Sequence, residues 1–292
     1  MKEIGNSLWQ ISGSSPGSHV VVLGGIHGDE LTGIEIVKIL RDKFSSGELV
    51  LKKGVLTLAL GNEEAIKSGV RGIAGHNLNR LFSKKLLANP PEDFYESRRA
   101  RELAPILNSA DILLDLHATY CPSRSFLACA VSPRHEKVFC WFNTEYILTD
   151  PNYVTGGEAV TTDEFVDDCG GAGICFEAGW QKDLSLILTT MKSVLAVLAD
   201  QGMIELPKPL ASPKAVYKIF ELVRKIILTE VGFRYADFIS LETFCEVKKG
   251  QVLGYHGETP EVAEDDGVLV FQKAEAQWQL DQPIFFFAKR VN

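Results

Sequence analysis

Three side chains form a set that could hold a divalent metal. His27 and Glu30 lie in Gly24-Gly25-Ile26-His27-Gly28-Asp29-Glu30, and His117 closes Asp111-Ile112-Leu113-Leu114-Asp115-Leu116. Neutral imidazole and carboxylate are both good zinc ligands. Two histidines and one carboxylate leave a fourth position for water, as a catalytic zinc requires. A turn carrying His and Glu three apart can aim both groups at one point. Asp115 sits two residues before His117 and so faces the same side of a strand. It is placed to support the site, because ligating histidines commonly donate their second N–H to a carboxylate. The competing reading is that His27 and Glu30 only cap the next helix, as Asp29 or Thr32 could also do.

Metal-assisted hydrolysis needs a base to take the proton of the attacking water. Glu177 is the candidate, within the apolar run Ile174-Cys175-Phe176-Glu177-Ala178-Gly179-Trp180. A carboxylate buried without a partner is costly. It is therefore either kept for chemistry or paired with a buried arginine. A tetrahedral intermediate also calls for a positive partner. Arg71, Asn79 and Arg80 offer donors from the glycine-containing stretch Val70 to Phe82. Arginine meets carboxylates as a planar fork, and asparagine adds further donors. Without these neighbours the two arginines would read as solvated loop residues.

The elements that must position these groups are legible as alternating strands and helices. His19 to Gly25 reads as a buried strand, followed by a helix over about Leu31 to Phe44 with Ile34, Ile36, Val37 and Leu40 on its apolar side. Further strands are expected over Val55 to Leu60, Asp111 to Leu116, Ser125 to Val131 and Gly173 to Ala178, and helices over Glu92 to Leu107 and Leu184 to Leu198. Such alternation implies an α/β fold with a mostly parallel sheet covered on both faces. Both His-bearing segments then meet the carboxyl edge of that sheet, where ligand sites of open α/β sheets form. Near Gly202 the texture changes, with Pro207, Pro209 and Pro213 in a linker-like stretch. Short strand-like runs follow, at Val216 to Phe220, Lys225 to Glu230, Thr243 to Val247, Val252 to Tyr255, Gly267 to Phe271 and Ile284 to Ala288. They predict a smaller C-terminal all-β domain.

Four motifs, GGIHGDE, NLNRLF, LLDLHAT and FEAG, in this order over about residues 20 to 180, resemble the succinylglutamate desuccinylase/aspartoacylase family. These are relatives of the zinc carboxypeptidases. The resemblance implies a carboxypeptidase-like catalytic domain over residues 1–208 and a β domain over 209–292 partly covering the site. It implies that His27, Glu30 and His117 hold one Zn2+ per chain, and that Glu177 activates water and later protonates the leaving amine. Arg71 would polarise the scissile carbonyl, and Asn79 and Arg80 would grip a carboxylate of a small-molecule substrate. The implied activity is hydrolysis of an amide bond, with an N-acyl amino acid as the expected substrate class. The sequence departs from the family in three places. Asn77 stands where an aspartate is usual. Arg71 and Arg80 are nine residues apart, one more than expected. The arginine that members acting on acylated acidic amino acids carry before the Glu strand is missing. That region holds Asp163, Glu164, Asp167 and Asp168, which would repel a dianion at the mouth. Neither N-acetylaspartate nor succinylglutamate is therefore expected as substrate.

Composition narrows the alternatives. The chain has 292 residues, 46% of them apolar, and a net charge of −8, which argues against nucleic acid as a partner. No stretch reaches the roughly 18 apolar residues of a membrane span, and the N-terminus has no signal-peptide run. None of the six cysteines forms a C-x-x-C pair. The expectation is a reduced, cytoplasmic protein, with a homo-oligomer left open. Gly13-Ser14-Ser15-Pro16-Gly17 formally matches a serine-hydrolase elbow. It fails physically, because Pro16 has no N–H to offer an oxyanion. Two other readings stay open: a zinc carboxypeptidase acting on a peptide or cell-wall peptide, and a non-catalytic binding protein that kept the fold.

Overall fold

The computed structural model describes residues 1–89, 92–207, 213–214 and 216–291. Its framework is a twelve-stranded mixed sheet. The parallel centre comprises β3 (Ser15–Gly24), β4 (Lys53–Leu60), β5 (Ile112–Thr119) and β8 (Ala172–Trp180), in the order β4-β3-β5-β8. These strands are apolar runs because both faces are covered. Val20 and Val22 pack with α1 (Leu31–Ser46) and α7 (Leu186–Asp200) on one face. Val21 and Leu23 pack with α4 (Tyr95–Asn108) and α6 (Thr162–Asp168) on the other. The four apolar α1 residues named from the sequence are all buried.

On the outer side of β4 the sheet is extended by an N-terminal hairpin, β1 (Lys2–Gly5) and β2 (Leu8–Ser12), that sequence reading missed. The reason is physical: all four residues of β1 are exposed, so no apolar alternation marks the strand. The expected strand at Ser125 to Val131 is only β6 (Phe126–Ala128), antiparallel to β8. Beyond it lies β7 (Tyr146–Thr149), also unexpected. Short helices α2 (Glu63–Ser68), α3 (Lys84–Ala88) and α5 (Pro133–Phe139) fill the connections.

From residue 216 on, the described chain is strands, apart from a single 3-10 turn at Glu275–Gln277. The two runs expected at Val216 to Phe220 and Lys225 to Glu230 are one strand, β9 (Lys218–Ile227). The intervening Glu221-Leu222-Val223-Arg224 has no turn residue, and Leu222 is buried between the two runs. β9 pairs parallel with β7, so four C-terminal strands prolong the catalytic sheet in the order β9-β15-β14-β11 (β15, Pro283–Arg290; β14, Gly267–Val270; β11, Cys245–Val247). A second, three-stranded sheet comprises β10 (Phe233–Tyr235), β12 (Val252–His256) and β13 (Thr259–Val262). The C-terminal part has its own apolar core around Leu253, Leu269, Ile284 and Phe285. The boundary expected at 208/209 falls outside the described residues.

Candidate metal centre and active site

The neighbouring strand ends bring the metal set together. Gly24 of β3 is opposite Leu116 of β5, and His117 of β5 is opposite Glu177 of β8. β5 runs on to Thr119, so His117 lies within its last turn of pleat rather than after it. Past β3 the chain bends at Gly25, whose φ of +70° suits glycine. Close packing then carries Glu30 over the sheet edge. A Cβ on Gly24 would come within 2.3 Å of the Gly33 backbone, and one on Gly33 within 2.3 Å of the Leu116 carbonyl oxygen. Side chains at either position would push α1 away from β5 and pull Glu30 from His117.

Glu30 is the hub. Its Oε1 lies 2.8 Å from His27 Nδ1 and its Oε2 lies 2.9 Å from His117 Nδ1. Arg71 donates to Oε1 at 2.8 Å, and the Ala118 N–H donates to Oε2 at 3.1 Å. Glu30 occupies the N-cap position of α1, yet its side chain makes no capping bond. The helix-capping alternative therefore does not describe its use. One ligand atom from each of His27, Glu30 and His117 fits within 4.8 Å of the others, and all three residues are buried.

The second nitrogen of each histidine also has a defined neighbour. His27 Nε2 lies 3.1 Å from Asn77 Oδ1, and His117 Nε2 lies 3.0 Å from Asp115 Oδ2, the latter at ion-pair distance without aligned hydrogen-bond geometry. Both Nδ1 atoms are thus turned to the centre, with an oxygen behind each ring, the arrangement that fixes a metal-ligating tautomer. The amide oxygen of Asn77 supplies the contact that an aspartate would, so this departure leaves an acceptor behind His27. Asp115 in turn accepts a short hydrogen bond from the Thr162 hydroxyl.

Charge in the pocket fits a bound cation. Burial, assisted by Arg71, lowers the His27 pKa to about 4, so the ring is neutral and its nitrogen free to ligate. Burial opposes charge on both other members as well. The two histidines nevertheless hold Glu30 well below the usual carboxylate range, and Asp115 and Glu30 raise His117 well above the usual imidazole value. Glu30 and Asp115 thus favour positive charge at the centre, which a divalent ion would provide.

Glu177 is buried, and its Oε2 has no hydrogen-bond partner. No arginine pairs with it among the described residues. Burial raises its pKa to about 7, with His117 opposing and Glu30 adding to the shift. A carboxyl group held near neutrality beside a metal set is suited to taking and returning a proton.

The Arg71–Arg80 loop is fixed from outside. Buried Glu96 accepts from Ile73 N–H at 2.7 Å, and Gly28 N–H donates to the Arg71 carbonyl at 3.3 Å. Arg71 is half-exposed and paired with Glu30. Asn79 is buried, with its side-chain oxygen engaged by the Thr162 N–H at 3.0 Å, so only its amide nitrogen is left to meet a ligand. Arg80 is partly buried and bonds to the Asn79 carbonyl at 2.7 Å. It forms no ion pair among the described residues.

The acidic stretch before β8 is a helix whose Asp163 and Glu164 lie within electrostatic reach of Arg80. It is α6, closed by a capping box between Thr161 and Glu164. Asp163 is buried, and burial, with Glu164 next, raises its pKa to about 8. Asp167 accepts from Gly173 N–H and lies 2.8 Å from His135 Nε2. Only Asp168 is left without such use. The signal was in the sequence, because Thr-x-x-Glu at 161–164 is a helix-start signature. Thr162, which ties Asp115 to Asn79, had no such signal.

Residues 16–199 match the succinylglutamate desuccinylase/aspartoacylase catalytic-domain family. The chain belongs to this family. Among curated members, a probable aspartoacylase from Nostoc sp. is 37% identical over 109 residues, 35% of each chain. An N-acyl-aromatic-L-amino acid amidohydrolase (carboxylate-forming) from Xenopus laevis is 41% identical over 113 residues, 36% of each chain. These matches span about a third of the length of either relative. Across the whole fold, the succinylglutamate desuccinylase structure from Vibrio cholerae superposes with a TM-score of 0.78 at 19% identity, covering 98% of this chain and 86% of that one. The desuccinylase/aspartoacylase fold thus extends through the C-terminal strands as well. Among the described residues no helix is long and apolar enough to cross a membrane.

Proposed function

We propose that this family member is a zinc-dependent amide hydrolase that deacylates an N-acyl amino acid. The observation carrying the reading is the convergence of His27, Glu30 and His117 beside an unpartnered, buried Glu177. The activities named for its relatives are deacylations, which fits the same chemistry. A zinc ion held by the triad would supply Lewis acidity and make a water nucleophilic near neutral pH. Glu177 takes the proton of that water and returns it to the amine as the C–N bond breaks. Arg71 stabilises the negative charge growing on the carbonyl oxygen, and Arg80, with the Asn79 amide nitrogen, holds the substrate carboxylate.

An N-acyl amino acid is a small molecule, and the strands beyond residue 216 would form a wall of its pocket. Residues 1–208 would carry the chemistry, and 209–292 would form the appended β unit. The argument against N-acetylaspartate and succinylglutamate keeps electrostatic support, since Glu164 lies within reach of Arg80 although its carboxylate also caps α6. The retained, partnerless Glu177 favours an enzyme over a binding protein. The test is metal analysis of the purified protein joined to a screen of N-acyl amino acids and short peptides. Stoichiometric zinc and release of free amino acid are expected. Clearly substoichiometric zinc with no rescue by added metal would overturn the proposal, and cleavage of peptides alone would favour a carboxypeptidase.

A further inference from the structure

One buried carboxyl group outside the metal set is bonded toward both segments that build it. Glu96, in the first turn of α4, is fully buried. Its Oε1 accepts from the Ile73 N–H at 2.7 Å and from Asn62 Nδ2 at 3.1 Å. Its Oε2 has no partner among the described residues. Ile73 is two residues after Arg71. Asn62 follows β4 and is the N-cap of α2, where its Oδ1 accepts from the Ala65 N–H at 3.2 Å.

From Asn62 the contacts lead to the His27 turn. The Asn62 N–H donates to the Gly25 carbonyl at 2.8 Å, and the Gly61 N–H to the Gly24 carbonyl at 2.9 Å. A Cβ on Gly28, next to His27, would come within 2.1 Å of the Ala65 carbonyl carbon, so the turn rests directly on the backbone of α2. The Gly28 N–H donates to the Arg71 carbonyl at 3.3 Å. The contacts therefore close a ring: Glu96 to Asn62, to the Gly25–Gly28 turn, to Arg71, to Ile73 and back to Glu96. Arg99, one turn further along α4 and also buried, donates to the Gly61 and Leu60 carbonyls at 2.7 Å each, which fixes α4 to the end of β4. An apolar side chain at 96 would leave the Ile73 N–H and the Asn62 amide unpaired and open the ring.

We propose that Glu96 is a positioning residue that holds the Arg71 segment against the His27 turn and acts on the reaction through Arg71. This rests on the functional reading above, in which Arg71 meets the negative charge of the transition state. Arg71 is half-exposed and leaves its loop on a single side-chain ion pair, with Glu30. Its aim therefore depends on how firmly the backbone beneath it is held, and a group that acts on a developing charge must be held to a fraction of an ångström.

The test compares zinc-loaded wild type, Glu96→Ala and Glu96→Gln on an N-acetyl amino acid, each alone and in an Arg71→Met background. Glu96→Ala is expected to lower kcat by about tenfold or more, the scale of a group misplaced from outside the site. In the Arg71→Met background the same change should cost less than about threefold, because the residue it positions is gone. Glu96→Gln keeps an oxygen that can accept both bonds, and kcat should stay within about threefold of wild type. Should Glu96→Ala not fold, Glu96→Asp, which shortens the reach by one methylene, takes its place. An equal loss with and without Arg71, no loss in either, or a loss in Glu96→Gln as large as in Glu96→Ala overturns the proposal. An arm without substrate separates it from the activity. Amide hydrogen exchange across residues 71–77 of the zinc-loaded proteins should quicken by about tenfold or more in Glu96→Ala and stay near wild type in Glu96→Gln. Exchange unchanged in Glu96→Ala defeats the role of Glu96 alone. Wild type that turns over no N-acetyl amino acid defeats the functional reading, and with it the route through Arg71.

Discussion

The two ends of the pocket are built differently. At the metal end the three candidate ligands are all engaged: Glu30 meets four partners, and each histidine has an oxygen near its second nitrogen. The ligands come from strand ends and one turn at the edge of the sheet, and Arg71 and Asn77 reach them from the loop after α2. At the substrate end, Arg80 is a partly buried cation on a loop; it forms no ion pair among the described residues, although Glu164 and Asp163 lie within electrostatic reach. A closed network suits a site that holds one ion in one geometry. A cation without an ion-pair partner suits a site completed by the substrate. The proton-transfer carboxylate, Glu177, stands between them.

The sharpest break between the two ends should come at Glu177. Glu177→Gln removes the proton acceptor and leaves the metal set intact. Turnover should fall by roughly 10²–10⁴-fold, the usual contribution of a positioned acid–base group. Zinc content, measured by atomic emission on the same sample, should remain at the wild-type level. If zinc is lost along with activity, Glu177 belongs to the metal end, and the division between the ends fails.

Next in size is the support behind the rings. Asp115→Asn keeps the shape but removes the charge beside His117 Nε2. Metal affinity, read by competition with a chelator, should weaken by about 10–100-fold, as outer carboxylates of metal sites do. Asn77→Asp adds a charge behind His27, where an acceptor already stands, so affinity should change by less than about tenfold. A large gain would mean that the asparagine is a real deficit of this chain.

These contrasts also explain what could be read in advance. The metal end was legible because apolar strands ending in His and Glu advertise both the element and its edge. Glu177 was legible because it interrupts an apolar run. Asn77 and Thr162 gain their roles from contacts between segments far apart in sequence, which no spacing reveals. The acids at 163–168 were read as a charged mouth alone, although the capping signature at 161–164 also marks the start of α6; Asp163 and Glu164 still act on Arg80. The β1–β2 hairpin and β7 were missed for lack of apolar pattern, whereas β9 was split in two although nothing in it breaks the strand.

The smallest effect asks how far α6 neutralises its own acid beside Arg80. Asp163 is buried next to Glu164, Asp115 and Asp167, with a Thr161 hydrogen bond and the Arg80 charge opposing them. The Cys129 and Cys175 thiols also sense its charge. Its folded pKa, raised to about 8, lies above the unfolded value of 3.8. The folded protein therefore keeps a proton that the unfolded chain has already released. Its contribution to stability is complete at acid pH and drains away as pH rises toward 8, by at most about 1.4 kcal/mol per pH unit. Asp163→Asn removes the titration while keeping the shape. Urea unfolding at about pH 6 and about pH 7 should show the wild type losing on the order of 1 kcal/mol more than the variant over that step. Equal slopes would mean that the carboxylate is charged and solvated at neutral pH. It would then stand at the mouth after all, and an anionic substrate would have to pass it to reach Arg80.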